Sequence, residues 1–408
     1  MLSHSLLLAA PLLLTGAPAA ARAGGDLTQA AYVWQLARSA ALDEAVAAHG
    51  DAFDELVVLG AEVRRTGAGY EVQRARTLAM PLGDRPVVVA IRIGPVPLDE
   101  DLSRIALRLA EDAAVAHELH GLQIDYDCPS GALAGYARWL TELRRALPSP
   151  LALSITGLPT WLGRGELRDV LAAVDGWVLQ VHGLEPPAHV DDPVALVDPA
   201  AALEDIERAA RFDVPFQVAL PTYGYALTFD AAGMLAGVVA ERDLSPLPPG
   251  ARQRTVLADA PAMSALVARL TADRPAHLRG VAWYRLPLPG DALAWTWPTL
   301  AAVMAGDDVA PRLEVVLRPQ PDDPELVEVL LRSRGTADAP VPRRLRIASS
   351  SLAADGQGGF TLAAREPTRV VLEARALRAY LRAGEERVVG WLRLPAGAAA
   401  PREVTVDG

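Results

Sequence analysis

An α/β fold, a (β/α)₈ barrel followed by a small all-β sandwich, is what this sequence predicts, on three observations. Short β-rich apolar runs alternate with segments of helical spacing from about residue 30 to 305. Eight such runs occur, at 31–36, 55–64, 86–93, 121–128, 151–156, 176–182, 216–220 and 280–286; that number favours a closed barrel over an open doubly wound sheet. After Pro311 the pattern changes to short runs divided by Gly, Pro and Asp turns, as in an antiparallel sandwich.

Taken in order, residues 1–23 read as an export signal. Residues 5–14 form an apolar run too short to span a bilayer, and Ala21-Arg22-Ala23 fits a small-residue cleavage site. The barrel is assigned to 27–308. Its first strand leads into Trp34-Gln35-Leu36-Ala37-Arg38, which has no glycine-rich phosphate turn. The second unit is irregular, with only a weak helical pattern over 65–85. Leu102, Ile105, Leu109, Ala113 and Ala116 keep helical spacing before the fourth strand, and Leu133, Tyr136, Trp139, Leu140 and Leu143 keep it after. The sandwich is assigned to 312–408, with runs at 313–317, 326–331, 344–347, 359–362, 369–372 and 387–394. No stretch after the signal has the length and apolarity of a transmembrane helix.

Composition removes several chemistries. The net charge of −11 argues against nucleic acid or an anionic membrane as partner. All 39 basic residues are arginine, and lysine and asparagine are absent; Schiff-base lysines, P-loop lysines and N-glycosylation acceptors are therefore excluded. The single cysteine, Cys128, allows neither an intramolecular disulfide nor a cysteine-based zinc site. His117 and His120 stand at i and i+3 without a third ligand, so no metal is expected, and no cofactor motif is present.

The chemistry concentrates in Gly121-Leu-Gln-Ile-Asp-Tyr-Asp-Cys-Pro129. Side chains two apart on a strand share a face, which puts Gln123, Asp125 and Asp127 together and Leu122, Ile124 and Tyr126 opposite. Inside a barrel the first set faces the lumen, its last members nearest the C-terminal rim where barrel enzymes carry their sites. Two inward aspartates are costly unless partnered or neutralised. Adjacent carboxylates also drive their pKa values apart, which is how one remains protonated as an acid. The alternative is structural pairing with Arg92 or Arg285.

This strand resembles the family-18 glycoside hydrolase signature, D-G-x-D-x-D-x-E, on the fourth strand of a chitinase barrel. Leu153-Ser-Ile-Thr-Gly-Leu-Pro-Thr-Trp161, Asp175-Gly-Trp-Val-Leu-Gln-Val-His182, Val218-Ala-Leu-Pro-Thr-Tyr-Gly-Tyr225 and Gly280-Val-Ala-Trp283 are similar to its fifth to eighth strand segments, in the same order. The resemblance covers about residues 30 to 305. Residue by residue, the family's three aspartates fall on His120, Gln123 and Asp125, and its proton-donating glutamate falls on Asp127. Gln180-Val-His182-Gly183 stands where the family has Met-x-Tyr-Asp. The Gln-Ile-Asp-Tyr-Asp-Cys-Pro strand is also similar to that of a bacterial family known as a domain of unknown function.

What the resemblance implies is an exported glycoside-hydrolase-like barrel acting on a polysaccharide or glycan, with Asp127 as proton donor and Asp125 as its partner. Gln123, Gln180, His182, Tyr223, Trp283 and Trp161 would line the pocket, the tryptophans offering flat faces to sugar rings. A sandwich-bearing barrel that binds carbohydrate without cleaving it, and an envelope scaffold, stay open as alternatives. Glu62 and Arg92 read as inward rim residues or as an ion pair across the barrel. Trp295 and Trp297 read as core.

Overall fold

The computed structural model describes residues 27–67, 69–240, 247–375, 379–399, 401 and 403–407. The expected export signal lies outside them. Eight parallel strands form the barrel: β1 (Thr28–Val33), β2 (Glu55–Thr66), β3 (Val87–Ile93), β4 (Leu119–Tyr126), β5 (Ala152–Gly157), β6 (Gly176–Gln180), β7 (Phe216–Pro221) and β8 (Leu278–Tyr284). Each pairs with the next, and β8 pairs with β1 to close the cylinder. That last seam requires glycine. A Cβ on Gly280 would lie 2.1 Å from the Thr28 carbonyl oxygen.

Strand alternation divides the apolar residues into two layers. Val33, Val58, Ile91, Ile124, Ile155, Leu179, Val218 and Trp283 point outward into the layer packed by the helices. Ala30, Tyr32, Val57, Leu59, Ala90, Val178, Ala219 and Ala282 point into the lumen. The alanines leave the lumen under-filled, and space opens toward the C-terminal rim.

Seven α-helices surround the barrel among the described residues: α1 (Ala40–His49), α2 (Glu100–Ala116), α3 (Leu133–Ala146), α4 (Leu167–Ala172), α5 (Pro199–Ala209), α6 (Ala260–Ala272) and α7 (Trp297–Ala305). Ser39, Asp99, Asp198 and Asp259 cap α1, α2, α5 and α6 by accepting free backbone amides. The second unit departs from the expected weak helix. There β2 runs on to Thr66, and Gly69–Arg74 turns back as an antiparallel strand against it, followed by a 3₁₀ turn at Arg76–Ala79. Tyr70 and Val72, two apart, both pack on the barrel core, a strand period that wins over the helical one. Between β7 and α6 lies a further feature with no counterpart in the sequence reading, an antiparallel sheet of Gly224–Phe229, Leu235–Val239 and Arg252–Leu257.

After the barrel come two four-stranded antiparallel sheets. One joins Leu313–Gln320, Asp323–Ser333, Glu386–Arg393 and Ala353–Gly356; the other joins Phe360–Glu366, Arg369–Ala374, Arg344–Ala348 and Val404–Asp407. Val327, Val329, Leu331, Val389 and Leu392 of the first share one buried core with Leu345, Ile347, Phe360, Val370 and Leu372 of the second.

Candidate functional site

The sequence places Asp125 as the last lumen-facing residue of β4, and the register fixes its neighbours. Glu62 stands beside Arg92 across β2 and β3, and Arg92 beside Asp125 across β3 and β4. A register shift near Gly60 turns Glu62 inward, leaving Ala61 and Val63 in the outer layer. Arg92 lies 3.8 Å from the Glu62 carboxylate, which also pairs with Arg64 at 2.7 Å. Thr156 of β5 donates its hydroxyl to Asp125 at 2.7 Å.

Above this charged rank opens a cavity of about 550 Å³ at the C-terminal ends of the strands. Asp125 and Asp127 both line it, with Glu62, Arg92, Thr156 and Arg285. Asp127 follows directly on β4, is exposed, and has no hydrogen bond or ion pair among the described residues. Asp125 is different. Burial pushes its carboxyl up to about 6, the Thr156 hydroxyl pulls it back, and the neighbouring Asp127 raises it again. One strand thus carries a carboxyl that retains its proton to mildly acidic pH and, two residues on, a carboxyl open to solvent.

The opposite wall is aromatic. Tyr223 and Tyr225 follow β7, Tyr284 ends β8, and Trp34 follows β1; all line the cavity. The Trp34, Tyr32 and Tyr284 rings meet edge to face with centroids 5.3–5.5 Å apart. His182 stacks on Tyr284 at 5.4 Å, and its Nδ1 lies 3.4 Å from the Tyr223 hydroxyl, which in turn is 3.3 Å from that of Tyr225. Burial lowers His182 to about 4, so its imidazole is neutral near pH 7. Burial likewise raises Tyr223 and Tyr284, keeping both hydroxyls protonated as donors.

The structure therefore brings together Asp125, Asp127, Gln180, His182 and Tyr223 in one cavity. Three expected lining residues lie elsewhere. Gln123 faces the lumen but is buried beneath the floor, accepting from the Tyr32 hydroxyl at 2.8 Å and standing 3.4 Å from Ser154. Trp283 is fully buried in the helix-side layer, its indole donating to Gln29 at 2.7 Å. Strand parity puts Tyr284, one residue on, at the cavity instead. Trp161, on the 3₁₀ turn Pro159–Trp161, swings outward against Tyr136 and donates to the Cys128 carbonyl at 3.0 Å.

Trp34, Gln35, Tyr225, Tyr284 and Thr156 are among the lining residues the sequence reading missed, with Tyr32 below them. Simple alternation identifies Tyr284 from Ala282 and Thr156 from Ser154; Trp34, Gln35 and Tyr225 lie beyond the ends of β1 and β7, where only the fold fixes their course. Cys128 is buried in the outer layer, and burial raises its thiol to about 11, an unreactive setting. His117 is hydrogen-bonded at 2.6 Å to the Leu78 carbonyl and β4 already begins at Leu119, so the His117 and His120 pair shares no helix. Among the described residues no three side chains suited to a metal cluster together, and no helix is long and apolar enough to cross a membrane.

Fold and site define a closed α/β barrel with a carboxyl-and-tyrosine cavity at its C-terminal rim. The chain belongs to the family described as a domain of unknown function (DUF3142), which matches residues 83–289. Residues 316–395 match a second domain of unknown function (DUF8456). No curated protein matches. Solved structures similar to the chain include the spore cortex-lytic enzyme SleL of Bacillus cereus, at 14% identity and a TM-score of 0.47, covering 69% of this chain and 74% of that one. A chitinase from Chromobacterium violaceum is similar at 16% identity and a TM-score of 0.47, covering 69% and 98%. A family-18 N-acetylglucosaminidase from Paenibacillus barengoltzii is similar at 14% identity and a TM-score of 0.42, covering 69% and 100%.

Proposed function

We propose that this chain is an exported, glycoside-hydrolase-like barrel that acts on a polysaccharide or glycan in the cavity above β4. The observation that carries this reading is the pair on β4. Asp125 keeps a proton to about pH 6, while Asp127, two residues on, is open to whatever enters. Asp125 then holds a proton that its open neighbour can take up and deliver where a glycosidic oxygen needs it. In this reading Asp127 is the proton donor to the leaving oxygen and Asp125 its partner. Tyr223, Tyr284 and Trp34 offer ring faces and hydroxyls to sugar, and Gln180 and neutral His182 offer hydrogen bonds. The barrel spans 27–308 and carries the site, with 312–408 as an accessory module.

A second reading, carbohydrate binding without cleavage, is favoured by the end of β6. It presents Gln180 and His182 where the resembled family carries the tyrosine and aspartate that support a substrate acetamido group.

The two separate in one experiment. A panel of soluble polysaccharides is tested for retention and for release of reducing ends, with the wild type and Asp127→Asn. The first reading predicts release by the wild type, and retention without release by the variant. Retention without release by both proteins favours the binding reading. Neither retention nor release by the wild type overturns both.

A further inference from the structure

Beyond β8 the chain runs through residues 286–296, a strap that contributes no lining residue to the cavity yet is fixed on both sides. On its inner side it holds the segment following β7. The Trp295 amide donates to the Thr222 carbonyl at 2.7 Å and the Gly224 amide to the Leu293 carbonyl at 2.7 Å, so that Tyr223 and Ala294 bridge as in a short antiparallel ladder. The strap also carries Asp291, whose carboxylate accepts from the Leu293 amide at 2.9 Å and pairs with Arg285 at 3.0 Å, both side chains 12% exposed. Tyr223 and Arg285 are both cavity residues.

On its outer side the strap is gripped from the C-terminal domain, by residues flanking a short ladder of Ala339–Pro340 with Tyr380–Leu381. Arg382 donates through Nη1 to the Ala294 carbonyl at 2.8 Å and through Nη2 to the Asp291 carbonyl at 2.6 Å. Nη1 also meets Asp338 at 2.9 Å. Asp338 has a side chain only 2% exposed, and accepts from the Thr296 amide at 3.0 Å, the Thr296 hydroxyl at 2.9 Å and the Ala383 amide at 3.0 Å. The planar guanidinium is thus aimed by a buried carboxylate and spans two carbonyls of the strap, a geometry that a single-point cation does not reproduce.

We infer that Arg382 is a positioning residue for the cavity. It acts through the carbonyls of Asp291 and Ala294 to set where Arg285 and Tyr223 stand. The C-terminal domain then forms part of the cavity's support, holding its tyrosine wall from behind. This inference does not rest on the glycan reading, because it concerns the wall and not its occupant.

The test uses the full chain labelled with 3-fluorotyrosine, whose eight tyrosines are assigned by single Tyr→Phe substitutions. In Arg382→Met, the ¹⁹F resonances of Tyr223 and Tyr284 are expected to move by more than a line width. Those of Tyr70, Tyr126 and Tyr136, away from the strap, are expected to stay in place. Asp323→Ala, which breaks the Arg393–Asp323 pair elsewhere in the C-terminal domain, is expected to leave Tyr223 and Tyr284 unmoved. Should Arg382→Met fail to fold, Arg382→Lys keeps the charge beside Asp338 but loses the two-carbonyl grip, and smaller shifts of the same two resonances are expected. A folded Arg382 variant with both resonances unmoved, or an Asp323→Ala protein that moves them equally, would overturn the inference.

Discussion

The two walls of the cavity are built on opposite principles. The wall over β2, β3 and β4 is ionic: Glu62, Arg92 and Asp125 stand side by side on neighbouring strands, with Asp127 just above. The wall over β6, β7 and β8 is aromatic, with Arg285 at its edge: His182, Tyr223, Tyr225 and Tyr284 meet ring to ring, and burial keeps His182, Tyr223 and Tyr284 uncharged near pH 7. The first wall can move a proton. The second can hold a ring and donate hydrogen bonds. A polyhydroxylated ring between them would meet both kinds of surface, and the division of labour makes the two walls separable by mutation.

The largest effect separates Trp283 from Tyr284, adjacent residues on opposite faces of β8. Trp283→Ala removes a fully buried indole and should cost about 3–5 kcal/mol in urea unfolding. If it instead left stability intact while abolishing glycan retention, the assignment of faces would be wrong. Next comes Asp127→Asn, expected to lower reducing-end release by about 100-fold with stability within about 0.5 kcal/mol of wild type, because the exposed carboxyl has no partner to lose.

Asp125→Asn tests the ionic wall by its pH dependence. The folded carboxyl titrates at about 6, above an unfolded value near 4, so ionising it works against the fold. Its favourable contribution is full below the unfolded value and is lost as pH rises through about 6. The amide has no such loss, so the variant should be more stable than wild type by about 3 kcal/mol at pH 8, with the difference gone below the unfolded value. Equal stability of the two proteins across that range would break the comparison between the walls. The smallest effect is Tyr284→Phe, which keeps the ring and removes one hydroxyl; about a three-fold loss of glycan affinity is expected, with stability unchanged.

How much of this was legible depended on whether a feature follows from strand period or from the way a chain leaves a strand. The eight barrel strands and the sharing of one face by Gln123, Asp125 and Asp127 follow from period two, and the structure has them. The depth of each residue along that face does not follow: Gln123 proved to be floor because Tyr32 closes over it. The misplacement of Trp283 has a different origin. A tryptophan matched by motif position alone carries no information on parity, and Ala282 and Tyr284 share a face that Trp283 does not. Trp34, Gln35, Tyr225 and the strap of residues 286–296 lie in connections, whose course is set by long-range partners such as Arg382 and Thr222 that no local pattern encodes. The strand at Gly69–Arg74 was hidden for a similar reason, since it pairs only with the extended end of β2.

The central claim is that Asp125 and Asp127 form a coupled pair, one enclosed and one open, at the mouth of the barrel. Carboxyl ¹³C NMR across pH 3 to 9 tests it without any ligand. The account predicts that Asp125 titrates near 6 and that Asp127→Asn moves that midpoint downward, because a neighbouring negative charge is removed. An Asp125 midpoint near 4, or one that ignores the loss of Asp127, would contradict it.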